Sequence, residues 1–170
     1  GNRTDHTAIE AAVLSSTQAV MSNIISSPYA IGFISLGSMN DSIKAVKVNG
    51  VAPTTETIQD GAYAIARPFH IATKEKVSDA AADFIAFILS EEGQAVVTDT
   101  GYVAVGEAKP YNGNGAAGVV KVSGSSSVSP VMEKLTEAYK QVNEQIKVEL
   151  QTNITSSFLF RYDCGSRRNL

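Results

Sequence analysis

The sequence has few of the features that mark several common classes of protein. It contains one cysteine, Cys164, so it cannot form an internal disulfide. No apolar run approaches the roughly 18 residues that a membrane-spanning helix needs. Lys and Arg number 14 against 17 Asp and Glu, which gives a formal net charge of −3, and no basic cluster stands out. This balance argues against a nucleic-acid surface.

Residues that carry catalytic or metal chemistry are equally sparse. His6 and His70 are isolated and lack metal-ligand spacing, so no zinc site is predicted. No serine stands in a nucleophile-elbow pattern, and the glycines of residues 113–118 fit neither a Walker nor a dinucleotide fingerprint. The residues therefore predict no catalytic group, no metal and no cofactor.

Length and composition allow a folded protein of ordinary type. The 170 residues, 44% of them hydrophobic, are enough to bury a core in one domain or in two small lobes. The opening residues 1–6 are polar, which indicates either a cytosolic protein or a processed piece of a longer one.

The most informative stretch is residues 119–150. An apolar run ends in a loop of serines and glycine at residues 123–127, a helix begins at about Ser129 and Pro130, and a second alternation follows at residues 146–150. This order predicts strand, loop, helix and strand, with Ser129 as N-cap and Pro130 at the first helical position. Such a loop gathers backbone N–H groups, a positive helix end and hydroxyls, which together favour an anion.

The first hundred residues alternate predicted helices and strands. Ser16 is the predicted N-cap of a helix whose inner face carries Val20, Met21, Ile24 and Ile25. The apolar residues 29–36 predict a central strand, and residues 63–73 predict a strand that Pro68 confines to an edge or to a crossing between lobes. A clear amphipathic helix opens at Ser78, with its predicted stripe at Ala81, Phe84, Ile85, Ile88 and Leu89.

Several segments in combination resemble the phosphate-binding proteins of ABC transporters, a group with the type II periplasmic-binding-protein fold. Residues 29–37 (YAIGFISLG), 67–69 (RPF) and 87–94 (FILSEEGQ) are similar to the C-terminal half of that family, and residues 122–135 (VSGSSSVSPVMEKL) are similar to its N-terminal opening. The resemblance covers roughly residues 8–151. It implies an α/β fold, a sheet flanked by helices, that is incomplete relative to the two-lobed family fold.

The order of these segments departs from the family pattern, in which the opening precedes the C-terminal half. We therefore divide the chain into a C-terminal-half-like lobe (1–105), a linker rich in Gly, Pro and Asn (106–118), an opening unit (119–151) and an unassigned tail (152–170). Three explanations are open: the junction of a tandem duplication, a circular permutant, or a truncated or misread product. We favour the junction, because the linker lies where a first copy would end.

The resemblance implies an extracytoplasmic protein that captures inorganic phosphate for an ABC importer and hands it to the transporter permease. It implies a location in the periplasm or at the cell surface, with a membrane anchor on the full-length protein. It places phosphate at Ser125, Ser126, Ser127 and the backbone N–H of Val128. The Arg-bearing loop of the family would lie before residue 1, and no acidic acceptor is matched after Leu150, so we expect weak binding or none from this chain alone.

Other interpretations of the sequence remain open. The chain is alternatively a non-binding structural remnant or a tandem-copy junction, which folds or forms a homodimer with exchanged elements. An enzyme acting on a phosphorylated small molecule is a weaker alternative, because no base or metal site supports it. Individual residues also have structural interpretations. Residues 125–127 suit a plain turn and helix cap, and Ser16 and Thr17 suit a cap. Arg67 suits a lobe-crossing or salt-bridge residue.

Overall fold

The computed structural model describes residues 11–152, which contain a short parallel sheet and the helices around it. The elements follow in chain order as helices α1 (Thr17–Ser26), α2 (Thr55–Gln59), α3 (Asp79–Ile88) and α4 (Glu91–Asp99), strand β1 (Gly118–Gly124), helix α5 (Ser129–Val142) and strand β2 (Ile146–Thr152). A 3-10 turn at Leu36–Ser38 lies between α1 and α2. Within these residues, no helix combines the length and the apolar character that crossing a bilayer requires.

The predicted strand, loop, helix and strand of the opening unit are confirmed. Strands β1 and β2 pair in parallel, from Gly118 opposite Ile146 to Gly124 opposite Thr152. Parallel strands cannot be joined by a tight turn, and α5 supplies the crossover between them. Alternate strand residues point inward and meet the buried face of the helix: Val120, Ile146, Val148, Val131, Leu135 and Tyr139. An α/β fold is therefore present, as the sequence predicts.

The same core continues into the C-terminal-half-like segment. Ala80, Phe84 and Phe87 of α3 and Tyr102 after α4 are buried in one cluster with the opening unit. The ring centroids of Phe84 and Phe87 lie 4.9 and 5.2 Å, respectively, from the ring centroid of Tyr139 on α5. The core thus takes side chains from both sides of residues 106–118. The proposed division of the chain at residues 106–118 stays a prediction about which family segments are present. The residues on its two sides share one hydrophobic core.

A buried carboxylate fastens the linker to this core. Asp83 is 2% exposed and accepts hydrogen bonds from the hydroxyls of Tyr139 (2.5 Å) and Tyr111 (2.7 Å), the N–H of Asn114 (2.7 Å) and the amide of Asn143 (3.2 Å). Burial alone raises the pKa of Asp83, but the four hydrogen bonds outweigh it and hold the pKa below its ordinary value. One side chain therefore joins α3, the linker and the end of α5.

The predicted face of α3 is confirmed in its larger part. The helix is present with Ser78 as its N-cap, Phe84 is buried, and Ala81 and Ile88 pack half-buried against the core, but Leu89, the residue after the helix, is 48% exposed. Ala80 and Phe87 complete the buried face. Asp83 lies on it too, because its four hydrogen bonds stabilise the carboxylate inside.

Residues 11–78 form fewer regular elements than the sequence predicts. Helix α1 has Ser16 as its N-cap and buries Met21, both as predicted, whereas Ile25 is 55% exposed. The strands predicted at residues 29–36 and 63–73 are wrong for this structure. Within the described chain, no backbone hydrogen bond joins residues 31–34 or 64–73 to another segment. A strand depends on a partner, and β1 and β2 pair only with each other.

Candidate functional site

The loop between β1 and α5 lies at the carboxyl end of β1, the edge at which open α/β sheets bind ligands. The N–H of Val128 donates to the carbonyl of Ser125 at 3.0 Å and closes a turn. Helix α5 begins at Ser129 as predicted, but its N-cap is Val128, and Pro130 is the second helical residue. The predicted N-cap is wrong because the Ser129 hydroxyl turns toward the Ser125 carbonyl (3.3 Å) and the Thr152 hydroxyl (3.0 Å).

Helix α5 therefore begins without a side-chain cap, and donors remain available at its first turn. No acceptor within residues 11–152 takes the N–H groups of Ser126, Ser127, Ser129 or Val131. An uncapped N-terminus carries roughly half a positive elementary charge in its partial dipoles. The loop thus presents backbone donors, hydroxyls and a helix dipole together. The N–H of Val128 is already engaged in the turn, so its predicted contact with an anion requires that turn to open.

The N-terminus of α1 lies against the same loop. The N–H of Thr17 donates to Oγ of Ser126 at 3.2 Å, and Oγ1 of Thr17 lies 3.4 and 3.3 Å from Oγ of Ser126 and Ser127. Ser16 caps α1 by accepting the N–H of Ala19 at 3.2 Å, so its interpretation as a cap is confirmed. Two helix N-termini therefore converge on three serines.

Sequence reasoning missed the place of Thr17 in this arrangement. Thr17 and Ser126 are 109 residues apart, and no local pattern indicates which loop a given helix end will meet. The short hydroxyl run at residues 15–17 is the one signal of this kind, and it fits an N-cap equally well.

Two hydroxyls from outside the loop hold the carbonyl of Ser127. Tyr102 Oη donates to it at 2.9 Å and Ser35 Oγ at 3.2 Å. The carbonyl has two lone pairs, so both are occupied and the orientation of the following peptide is fixed. Gly37 lies against the Tyr102 ring, and a Cβ at that position would overlap the ring. The conformation of the loop thus depends on residues 35–37 and on Tyr102.

The electrostatics of this site come from dipoles and not from formal positive charge. A shallow depression beside the loop, at the carboxyl ends of both strands, has Glu133 as the one charged residue among its described lining. Arg67 is exposed and forms neither an ion pair nor a hydrogen bond with residues 11–152. The same residues contain no group of three His, Cys, Asp or Glu suited to a metal. No acidic acceptor is matched in the sequence after Leu150, and the residues that follow Thr152 lie outside the described part of the chain.

The chain is similar to known phosphate-binding proteins along nearly its full length. The PBP superfamily domain matches residues 2–92. Phosphate-binding protein PstS 2 of Streptococcus agalactiae is 45% identical over 171 residues, which cover 97% of this chain and 58% of the relative. Phosphate-binding protein PstS 2 of Streptococcus pneumoniae is 41% identical over 154 residues, with 90% and 53% covered.

A solved structure shares the fold. The crystal structure of a phosphate-binding protein of a phosphate ABC transporter from Streptococcus pneumoniae matches with a TM-score of 0.68 at 40% sequence identity. The match covers 89% of this chain and 60% of that one. The chain therefore spans little more than half the length of the relatives it matches.

The alignments also bear on the order of the segments. Each continuous match runs through both the C-terminal-half-like segments and the opening unit, so the matched relatives carry them in the same order as this chain. The tandem junction, the circular permutant and the truncated or misread product are all compatible with this shared order, and the choice among them stays a prediction.

Proposed function

Because the chain belongs to the PBP superfamily, we propose that it serves as the solute-binding component of an ABC importer for inorganic phosphate. It would act outside the cytoplasm, in the periplasm or at the cell surface, with a membrane anchor on the full-length protein and the transporter permease as its partner. The relatives of similar sequence bear the name phosphate-binding protein, and the solved relative is the phosphate-binding protein of a phosphate ABC transporter.

One observation carries the proposal: two helix N-termini converge on the serine loop, where α5 is uncapped and Thr17 of α1 contacts Ser126 and Ser127. Phosphate is an acceptor-rich anion, and this point of the structure is rich in donors. Each helix end contributes about 0.3–1 kcal/mol toward an anion at an exposed position. A hydrogen bond to a charged group contributes about 1.5–3 kcal/mol. The donors therefore outweigh the dipoles in setting affinity.

The hydroxyls and N–H groups of Ser126 and Ser127 are the proposed primary donors, with Ser125 beside them. Oγ1 of Thr17 lies 3.3–3.4 Å from the hydroxyl oxygens of Ser126 and Ser127 and helps to position them. The Thr17 hydroxyl is close enough to the loop to donate to a bound phosphate as well. The N–H of Val128 joins only if it leaves the Ser125 carbonyl. With a net charge of −3 and no cation at the loop, we expect this chain alone to bind phosphate weakly.

Isothermal titration with phosphate tests the proposal. We expect saturable heat that sulfate does not compete away, and a loss of affinity of about tenfold for Ser126→Ala, since one charge-assisted hydrogen bond is removed. Ser26→Ala is the matched control, because Ser26 is an exposed serine at the far end of α1 that bonds only within its own helix. The absence of heat from the intact chain, or equal losses in both variants, would count against phosphate capture here.

The alternative is a remnant or tandem-copy junction that folds without a complete ligand site and forms a homodimer with exchanged elements. Its support is the apolar surface that residues 29–33 leave exposed. Sedimentation equilibrium distinguishes the two: a concentration-dependent dimer without phosphate binding favours the remnant, whereas a stable monomer removes the dimer from consideration.

A further inference from the structure

The chain contains three Asn-Gly pairs, and two of them lie in the linker. The linker pairs are Asn112-Gly113 and Asn114-Gly115, and the third is Asn49-Gly50. An asparagine followed by glycine is prone to spontaneous deamidation, because glycine has no Cβ to hinder attack by its own backbone nitrogen. All three asparagines are exposed, so exposure alone does not distinguish them.

Deamidation requires only water and the two residues of the pair. The glycine nitrogen attacks Cγ of the asparagine and loses its proton, the side-chain amide leaves as ammonia, and a succinimide ring remains. Water then opens the ring at one of its two carbonyls and gives aspartate or isoaspartate. Isoaspartate carries the main chain through its side chain, so it adds a negative charge and also lengthens the backbone by one atom. Hydrogen bonds that hold the carboxamide or the turn oppose the attack, because they must break first.

The Asn49-Gly50 pair is held by a closed turn. Val48 and Val51 exchange both backbone hydrogen bonds across it, at 2.9 and 3.0 Å. Asn49 and Gly50 have φ values of 51° and 83°, as in a tight hairpin turn with two left-handed residues. Rotation of the Asn49 peptide toward the geometry of attack would break this turn.

The two pairs in the linker differ in how they are held. The carboxamide of Asn114 accepts the N–H of Ala116 at 2.8 Å and donates to the Asp79 carbonyl at 3.2 Å. Within residues 11–152, by contrast, neither the side chain of Asn112 nor the N–H of Gly113 has a hydrogen-bond partner. Asn112 is therefore the asparagine whose carboxamide can turn onto the next nitrogen without breaking a bond.

The position of Asn112 gives its deamidation a structural consequence. The Tyr111 hydroxyl and the Asn114 N–H, on either side of it, both donate to the buried Asp83 carboxylate at 2.7 Å. Gly113 lies against the same hydroxyl, since a Cβ on it would be 2.8 Å away. An extra backbone atom between the two donors displaces at least one of them. We propose that Asn112 is a deamidation site, the first of the three to react in the folded protein, and that its isoaspartate product releases the linker from Asp83.

The reaction rates test the site. The folded chain is incubated in mildly alkaline buffer, and peptide mapping by mass spectrometry follows conversion of each amide to an acid. We expect Asn112 to react at least fivefold faster than Asn49 or Asn114, the factor that about one hydrogen bond contributes. The same chain in guanidinium chloride is the control, because unfolding removes the hydrogen bonds and should bring the three rates within threefold of each other.

The assignment is overturned if the three pairs react equally in the folded chain, or if Asn49 or Asn114 reacts first. It is also overturned if the folded ranking persists unchanged in denaturant, because local sequence would then set it. Asn112→Gln should slow conversion at this position at least tenfold, since the longer side chain would have to form a larger ring.

The consequence is tested on the separated isoaspartate form. Exchange of the Asn114 amide hydrogen, which the hydrogen bond to Asp83 protects, should be at least tenfold faster in this form than in the unreacted chain. Its urea midpoint should also be lower. Asn112→Asp is the matched control, because it adds the charge without lengthening the backbone, and it should resemble the unreacted chain in both measurements.

Release of the linker is refuted if the isoaspartate form and Asn112→Asp behave alike. Asn112→Gln, incubated in parallel, should keep its midpoint, and an equal loss there would refute the assignment of the damage to Asn112. None of these measurements involves phosphate, so they stand or fall independently of the proposed function.

Discussion

Asp83 shows how a single residue joins segments that lie far apart in the chain. Its carboxylate takes donors from the linker and from α5, up to 60 residues away. Burial of an ionised carboxylate is unfavourable unless it is hydrogen-bonded, and here four bonds satisfy it. The stability of the whole arrangement is therefore sensitive to this one side chain.

Asp83→Ala should lower the free energy of unfolding by about 2–4 kcal/mol, because it leaves the donors of Tyr139, Asn114 and Asn143 without their acceptor. Urea unfolding followed by circular dichroism measures the change. Asp99→Ala is the control, since Asp99 is exposed at the C-terminal end of α4 and should change stability by less than about 0.5 kcal/mol. Equal effects in the two variants would contradict this role of Asp83.

The pKa directions around Asp83 predict a stability profile with two edges. The folded-state pKa of Asp83 is lowered, so its contribution is present above the unfolded-state pKa of about 3.9 and is lost as the pH falls through the folded-state value. Burial and the hydrogen bond to Asp83 raise the pKa of Tyr111 to about 12. The contribution of Tyr111 to the free energy of unfolding is therefore complete below about pH 10 and is lost as the pH rises through about 12.

Unfolding experiments across the acid range check the first edge. The stability difference between the native chain and Asp83→Asn should be constant at neutral pH and shrink below about pH 4, because protonation of Asp83 makes the two side chains alike. A difference that persists unchanged at pH 2 would show that the ionised carboxylate is not what stabilises the cluster.

Gly37 is a second residue whose identity is fixed by a neighbour. Gly37→Ala would push a methyl group into the Tyr102 ring, and overpacking of this kind costs about 1–3 kcal/mol. Gly106→Ala is the matched control, since a Cβ there meets nothing within 4 Å and its backbone is not in the left-handed region. Chemical denaturation should separate the two variants, and equal stabilities would refute the contact.

The elements that the sequence predicts well are those whose causes are local. The caps at Ser16 and Ser78, the helix that starts at Ser129 and the two strands around it follow from hydroxyl, Pro and apolar positions within one or two turns. The strands predicted at residues 29–36 and 63–73 are wrong because pairing is a property of the partner, and no partner strand lies in residues 11–152.

The candidate site was predictable in one half only. The serine loop is recognisable from its composition and from the helix that follows it, and it stays the predicted phosphate site. The approach of α1 and the Tyr102 donor to the Ser127 carbonyl depend on tertiary packing, which no local pattern encodes.

Helix caps offer a prediction at the scale of elements. Ser90 caps α4 from a buried position, accepting the N–H of Gly93 at 3.2 Å and donating to the Phe87 carbonyl at 2.7 Å. Ser90→Ala should cost about 1–2 kcal/mol, at the upper end for a cap, because the N–H of Gly93 that it leaves without an acceptor is buried. Ser78→Ala removes an exposed cap of α3 and should cost less, about 0.5–1 kcal/mol. Thermal unfolding ranks the two, and the reverse order would contradict the assignment.

At the scale of the whole molecule, the cluster of buried core residues lies between positions 80 and 148, while residues 64–79 are exposed throughout. Tryptic cleavage of the described residues should therefore begin before position 80, at the exposed Lys44, Lys47, Lys74 or Lys76, and leave the following fragment resistant, because cleavage requires an exposed, locally open backbone. Mass spectrometry of a digestion time course identifies the first cut. An initial cut at Lys134 or Lys140 within α5 would show that the core is less stable than the segment before it.

The contact between Thr17 and Ser126 has a consequence for synthesis of the protein. The two residues are separated by 109 positions, and translation adds about 5–20 residues per second. Thr17 is therefore made roughly 5–20 s before the serine loop exists. During that interval the start of α1 can form and be capped by Ser16, yet the nascent chain cannot assemble the proposed anion site until nearly all of the described sequence has left the ribosome.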